Sequence, residues 1–137
     1  IEKYVSGLFK FRIRCESEIR NRCLQKGFIE DDINIVIQKM KDLKLIDDFR
    51  FCVMYFEDNL RIKLKSPSKI VYELLCLGVE KQIIENARDR ALEEISIKGI
   101  LLNLRKKYVY IDEEKWKKRM LQRGFEYKYI KEVIQEF

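Results

Sequence analysis

Two adjacent acids stand inside the stretch LKLIDDFRF, residues 43–51. Asp47 and Asp48 are of the residue type that binds metal ions or acts as general acid and base. A metal site needs further oxygen ligands that converge on the ion, and the sequence indicates none. Both acids also stand where a helical pattern begins, and there an acid accepts hydrogen bonds from free backbone N–H groups. We therefore predict that they begin a helix, and we expect no metal ion and no cofactor.

Other residues suited to catalysis are scarce. The 137-residue chain contains no histidine, which excludes histidine-based catalysis and disfavours zinc sites. Its cysteines have no CxxC spacing and lie within apolar patterns, so we expect reduced, buried side chains. They are Cys15, Cys23, Cys52 and Cys76. We expect no catalytic residues and a protein that is not an enzyme.

Composition limits the class of protein further. Hydrophobic residues make up 47% of the chain and charged residues 38%, so a core can form beneath a densely charged surface. No apolar run reaches the roughly 18 residues of a membrane span. We expect a cytoplasmic monomer whose natural sequence begins upstream of Ile1. The net charge of +6 favours an acidic partner such as nucleic acid or an acidic protein groove.

Apolar spacing indicates helices almost throughout. One proline and five glycines interrupt the chain, and apolar residues recur at steps of three and four, as on the buried face of a helix. Three such stripes are Ile33, Val36, Ile37, Met40 and Leu43; Phe49, Cys52, Val53, Phe56 and Leu60; and Ile70, Leu74, Leu75 and Leu77. The sequence therefore predicts an all-α fold.

Three glycines mark an internal repeat. Gly27, Gly78 and Gly124 lie 51 and 46 residues apart within similar surroundings, CLQKGFIEDDI, LLCLGVEKQII and MLQRGFEYKYI. Each glycine suits a left-handed position that ends a helix. We predict tandem three-helix repeats in an elongated modular array. The units are 1–61 with an N-terminal extension, 62–107, and 108–137 with only two helices.

Helix starts and lengths follow from local signals. Ser66 and Pro67 have the types expected at an N-cap and at the first helical position. We expect the third helix of the first unit to run from about 47 to 61. In the second unit we expect a longer third helix, ending near 107.

The successive motifs resemble those of the RecX family, the regulators of the bacterial RecA recombinase. The motifs are RCESEIRNRCLQKGF, LKLIDDFRF, KSPSKIVYELLCLGV and MLQRGF, and together they span nearly the whole chain. Their order and spacing carry the resemblance, and Cys52 replaces a usual alanine. The matching positions are Arg14, Glu18, Ile19, Lys26, Gly27 and Phe28; Leu45, Ile46, Asp47, Asp48 and Phe51; and Lys65, Pro67, Ile70, Glu73, Leu74, Gly78 and Val79.

This resemblance implies a function that the composition alone does not. RecX proteins bind the RecA–DNA filament, lie along its groove, and inhibit or tune its ATPase, strand-exchange and co-protease activities. The resemblance therefore implies a RecA filament as partner, with direct contact to DNA left open. The alternative is a helical-repeat nucleic-acid-binding protein that acts without RecA.

Clusters of basic residues are the candidate binding sites. Lys and Arg attract phosphates and carboxylates, and Arg can bind either group with two hydrogen bonds. The cluster from Arg61 to Lys69 stands out because it lies between two units, next to a helix N-terminus. Tyrosines beside positive charge could stack on bases or pack between helices. The candidates are Arg61, Lys63, Lys65, Lys69, Arg105, Lys106, Lys107, Lys117, Lys118 and Arg119.

Overall fold

The structure, a computed structural model, describes residues 1–136, and these form nine α-helices and no strand. The predicted all-α fold is confirmed. Phe137, the last residue of the predicted third unit, lies outside the described residues. The helices are α1 (Glu2–Leu8), α2 (Glu16–Lys26), α3 (Glu30–Asp42), α4 (Asp48–Arg61), α5 (Pro67–Cys76), α6 (Lys81–Leu92), α7 (Ile97–Lys107), α8 (Glu113–Gln122) and α9 (Tyr127–Glu136).

The predicted helix starts are confirmed at α4 and α5. Asp47 Oδ1 accepts a hydrogen bond from the backbone N–H of Arg50, and Ser66 Oγ accepts one from Lys69, with Pro67 at the first helical position. The third helix of the predicted second unit, α7, ends at Lys107 as predicted. The prediction that it is the longer helix was wrong, because α6 continues to Leu92 and α7 has only 11 residues.

The three repeat glycines end α2, α5 and α8 in the same way. Their φ angles are +98° at Gly27, +89° at Gly78 and +96° at Gly124, which favour glycine because a side chain is strained there. The next residue in each case donates its N–H to a carbonyl five residues back. This hydrogen bond brings the following apolar side chain back onto the helix that has just ended.

Two groups of buried side chains form the core. The smaller lies among α1, α2 and α3, and the larger joins α4 to α9. Phe56 and Leu60 of α4 belong to the larger group, and α4 packs along α6. The larger core group therefore extends across the predicted boundary at residue 61, and the three units remain a prediction from the repeat.

Several residues predicted to be buried are exposed. Leu43, Phe49 and Leu75 lie at the edges of their stripes and are 58%, 42% and 44% exposed. Periodicity identifies the buried face of a helix but not its width, which the neighbouring helices determine. The prediction for the cysteines was wrong at Cys76, which is exposed, whereas the other three are buried. Among residues 1–136, no helix combines the length and apolarity that crossing a membrane requires.

A pair of serines joins the start of α5 to the end of α8. Ser66 Oγ donates a hydrogen bond of 2.6 Å to the carbonyl of Arg123, and Ser68 Oγ donates one of 3.0 Å to Gly124. Ser17, at the start of α2, stands against Gly78 in the corresponding way. Because both glycines lack a Cβ, the helix ends can approach this closely.

We expect Gly124→Ala to destabilise the protein more than Gly27→Ala. Both changes place a side chain at positive φ, which costs about 1–2 kcal/mol. At Gly124 the added Cβ would also lie 2.5 Å from Ser68 Oγ and 3.0 Å from Ser66 Oγ, whereas at Gly27 it would meet nothing within 4 Å. Moving the serines away weakens their hydrogen bonds and adds about 1–2 kcal/mol. Urea unfolding followed by circular dichroism measures the difference in the free energy of unfolding. Equal losses would contradict the close contact between the two serines and Gly124.

Candidate functional site

Asp47 and Asp48 interact with the starts of two different helices. Asp47 begins α4, whereas Asp48 Oδ1 accepts a 2.8 Å hydrogen bond from the backbone N–H of Glu16 at the start of α2. The sequence predicted both acids at a helix start but not the second helix. Within residues 1–136, no group of His, Cys, Asp and Glu is arranged to hold a metal ion.

Burial raises the pKa of Asp48 above its ordinary value of 3.8, although the hydrogen bond from Glu16 opposes the shift. Burial penalises the charged form, so the folded protein binds the proton more tightly than the unfolded chain does. The contribution of Asp48 to the free energy of unfolding is therefore largest below pH 3.8. It falls as the pH rises through the folded-state pKa.

We expect Asp48→Asn to be at least as stable as the wild type at neutral pH. The amide oxygen can accept the same hydrogen bond from Glu16 without the cost of burying a charge. Asp48→Ala should lose about 1–2 kcal/mol, because the Glu16 N–H then has no acceptor. Urea unfolding across a range of acidic pH measures both variants. The advantage of Asp48→Asn should grow as the pH rises, and a constant difference would contradict the raised pKa.

Basic residues from two predicted clusters meet in one pocket between the start of α5 and the end of α8. This junction pocket has a volume of about 450 Å³ and is lined by Lys63, Leu64, Lys65, Ser66, Lys69, Arg119, Gln122 and Arg123. Five of the eight side chains are cationic. The two serine hydrogen bonds hold its walls together, because they tie α5 to the residues that end α8.

The cations of the junction pocket differ in how free they are to bind. Lys65 is half-buried, and its Nζ donates to both carboxylate oxygens of Glu73 at 3.0 and 2.9 Å. Tyr55 also donates to that carboxylate. Burial opposes ionisation of Glu73, but these hydrogen bonds outweigh it and hold its pKa below the ordinary value. Lys63 and Lys69, in contrast, are exposed.

Side chains, rather than the start of α5, supply the positive charge of the pocket. Pro67 has no N–H to donate, and the N–H of Lys69 is bonded to Ser66 Oγ. The carbonyls of Arg123 and Gly124 at the end of α8 also face the two serines. Backbone donors are therefore a weaker part of this site than the sequence suggested.

The predicted run Lys117, Lys118 and Arg119 divides over different faces of α8. Successive residues of a helix point about 100° apart, so only Arg119 lines the junction pocket. Lys117 lies over the ring of Tyr127, with its Nζ 5.2 Å from the ring centre, and Lys118 is exposed. Arg123 was not among the predicted residues, although its spacing of four residues from Arg119 places both on one face of a helix.

The predicted cluster Arg105 to Lys107 also divides. The Arg105 guanidinium donates to the carbonyls of Tyr108 and Ile111 and lies 5.6 Å from the ring centre of Trp116. It thereby holds the connector between α7 and α8. Lys106 is exposed and lines a second pocket, of about 410 Å³, together with Arg61.

Tyr108 lies between two cations. Arg123 and Lys107 stand 5.7 and 5.5 Å from the centre of its ring. A hydrogen bond with Arg123, aided by the charge of Lys107, lowers the pKa of Tyr108. The ring is half-buried, whereas Tyr110 is 78% exposed. Of these two tyrosines, Tyr110 has the more accessible ring for stacking.

Sequence similarity to named relatives extends along nearly the whole chain. A protein of Thermotoga maritima named regulatory protein RecX is 31% identical over 133 residues, which are 96% of this chain and 80% of the relative. Regulatory protein RecX of Finegoldia magna is 27% identical over 142 residues, covering 93% of this chain and 66% of that protein. No protein-family model matches the chain.

Solved structures support the fold. A crystal structure of RecX from Lactobacillus salivarius superposes with a TM-score of 0.84 over 98% of this chain and 92% of that one, at 23% identity. A second crystal structure, of a regulatory protein RecX, gives a TM-score of 0.82 over 98% of this chain and 71% of that one, at 18% identity.

Proposed function

Because the chain belongs to the RecX family of regulatory proteins, we propose that it binds the filament that RecA forms on DNA. Binding would lower the ATPase, strand-exchange and co-protease activities of that filament. The observation that carries the proposal is the 31% identity to a regulatory protein RecX over 96% of the chain. The order of the three repeat motifs supports the same conclusion.

The junction pocket supports this proposal because of its charge. A filament of protein on DNA offers carboxylates and phosphates, and both attract Lys and Arg. Lys63, Lys69, Arg119 and Arg123 line the pocket, and all four are exposed. A pocket at the contact between two successive units would place these charges against one repeated surface of the filament.

The test is RecA ATPase turnover on single-stranded DNA, measured while this protein is added. We expect turnover to fall as the protein approaches the concentration of RecA protomers. Bovine serum albumin at the same concentration controls for non-specific effects. Turnover that stays constant over the whole range would overturn the proposed modulation.

The same charged pocket also favours a second candidate, a nucleic-acid-binding protein that acts without RecA. The dependence of binding affinity on salt concentration distinguishes the two functions. Affinity that comes from phosphate contacts alone falls steeply as salt rises, because binding releases counterions. A protein that also makes apolar contacts with RecA should keep part of its affinity. Equal affinity for bare and RecA-coated DNA, with the same salt slope, would favour the second candidate.

A further inference from the structure

An apolar groove lies between α4 and α5, and the stretch around Ile13 borders it. The groove has a volume of about 720 Å³. Phe51 lies at its base and is only 4% exposed, whereas Met54, Ile62 and Tyr72 on its rim are 40%, 75% and 67% exposed. Contiguous exposed apolar side chains around a concave surface are typical of an interaction site.

The charges in this groove disfavour nucleic acid. Glu18, Asp58 and Glu73 line it, so the cations beside them already face carboxylates and offer little attraction to phosphates. Glu18 pairs with Arg12, and Glu73 pairs with Lys65, so cations of the same chain largely neutralise these two acids. The groove therefore presents an apolar surface between paired charges, which suits an apolar side chain of a protein.

Lys63 connects the groove to the junction pocket, because it lines both. A bound segment that fills the groove would therefore continue onto Lys63, Lys69, Arg119 and Arg123. Complementary charge on that part of the segment is negative. The two neighbouring surfaces together fit a segment that carries a bulky apolar side chain and, next to it, acidic residues.

We propose that the groove and the junction pocket together bind one acidic protein segment with an apolar anchor. Resting on the proposed function, the inference assigns this segment to a protomer of the RecA filament. The apolar anchor would fill the groove beside Ile62, and the acidic residues would pair with the cations beyond Lys63. Affinity would then depend on both surfaces.

Cys76 provides a direct test, because it lines the groove and is exposed. The three other cysteines are buried, and burial raises the pKa of Cys15 to about 11 and that of Cys52 to about 12. Because the thiolate is the reactive form, iodoacetamide should modify Cys76 first. We expect RecA-coated DNA to slow this reaction about tenfold at a filament concentration ten times Kd. Bare DNA should leave the rate unchanged.

A matched label on α3 shows whether protection is local. Ile35 is 69% exposed and lies outside the groove. In a Cys76→Ser background, Ile35→Cys should be modified at the same rate with and without the filament. Slowing of Ile35→Cys equal to that of Cys76, or an unprotected Cys76 in a protein that sediments with the filament, would overturn the proposal. Protection of Cys76 by bare DNA would assign the surface to nucleic acid instead.

A pair of substitutions gives an independent measurement. Ile62→Asp should weaken binding to RecA-coated DNA at least about tenfold, because it removes an apolar side chain that the proposed complex would bury. Ile35→Asp, at a similarly exposed isoleucine, should bind as the wild type does. Equal affinities of the two variants would overturn the assignment of the groove. If the wild type itself fails to sediment with RecA-coated DNA, the proposed function fails, and this inference fails with it.

Discussion

The double variant Lys63→Glu/Arg123→Glu should bind RecA-coated DNA about 30- to 1000-fold more weakly than the wild type. Both side chains line the junction pocket and are exposed. On the proposed function, each change would remove a charge-assisted contact and would add repulsion of an acidic partner. Two such contacts correspond to about 2–4 kcal/mol of binding free energy.

The choice of these two residues follows from the hydrogen bonds around the pocket. Lys65 is a poor target because its partner Glu73 would be left half-buried beside a second carboxylate, so Lys65→Glu would also destabilise the fold. Lys63 and Arg123 stand on opposite walls of the pocket, before α5 and at the end of α8. Substituting one residue on each wall tests the pocket rather than one helix.

A matched control separates a local site from the net charge of the protein. Lys3→Glu/Lys131→Glu changes the net charge by the same amount at exposed positions on α1 and α9. This control variant should retain most of the affinity. Equal weakening of both double variants would contradict the junction pocket and indicate general electrostatic attraction. Fluorescence of Trp116, the one tryptophan of the chain, can verify that both variants are folded.

Trp116→Ala should lower the free energy of unfolding by about 3–5 kcal/mol. The Trp116 side chain is 0% exposed and belongs to the larger core. Its removal would leave a large cavity and take away the ring that lies under the Arg105 guanidinium. A domain of this size has about 5–15 kcal/mol of stability, so this loss is a large part of the total.

Trp116→Phe is the informative comparison. Trp116 Nε1 is buried and donates to no residue among 1–136, so phenylalanine removes a polar group without breaking a hydrogen bond. We expect Trp116→Phe to cost about 1–2 kcal/mol, from lost volume alone. Tyr110→Ala, at a side chain that is 78% exposed, should change stability by less than about 0.5 kcal/mol. Urea unfolding followed by circular dichroism ranks the three variants, and a Trp116→Ala loss below that of Trp116→Phe would contradict this packing.

Local signals explain why much of the secondary structure could be predicted. Ser66 with Pro67, and Asp47 before an apolar stripe, form their hydrogen bonds within four residues along the chain. The repeat glycines act equally locally, because positive φ and the turn that follows depend on adjacent residues. The all-α class and the helix starts therefore follow from short stretches of sequence.

Contacts between distant residues explain what the sequence did not predict. Asp48 bonds to Glu16, and Ser66 bonds to Arg123, 57 residues away. These pairs have no signature in either stretch alone, since only the packing of the helices brings them together. The exposure of Cys76 depends in the same way on which helices cover α5.

The candidate site was predicted in part for the same reason. Sequence reasoning selected Lys63, Lys69 and Arg119 as basic residues, and the structure brings these three into one pocket. The sequence alone does not distinguish these residues from Arg105, whose guanidinium donates to two carbonyls of the connector between α7 and α8. Charge can be read along a sequence, but the free or occupied state of a side chain depends on its folded neighbours.

Co-sedimentation at physiological salt, with bare single-stranded DNA compared to RecA-coated DNA, tests the central proposal most directly. We predict that the protein pellets with RecA-coated DNA at concentrations at which it stays in the supernatant when it is mixed with bare DNA. ATPase turnover in the same tubes should fall as the bound fraction rises. Equal binding to both, with turnover unchanged, would contradict a filament modulator and leave a nucleic-acid-binding protein.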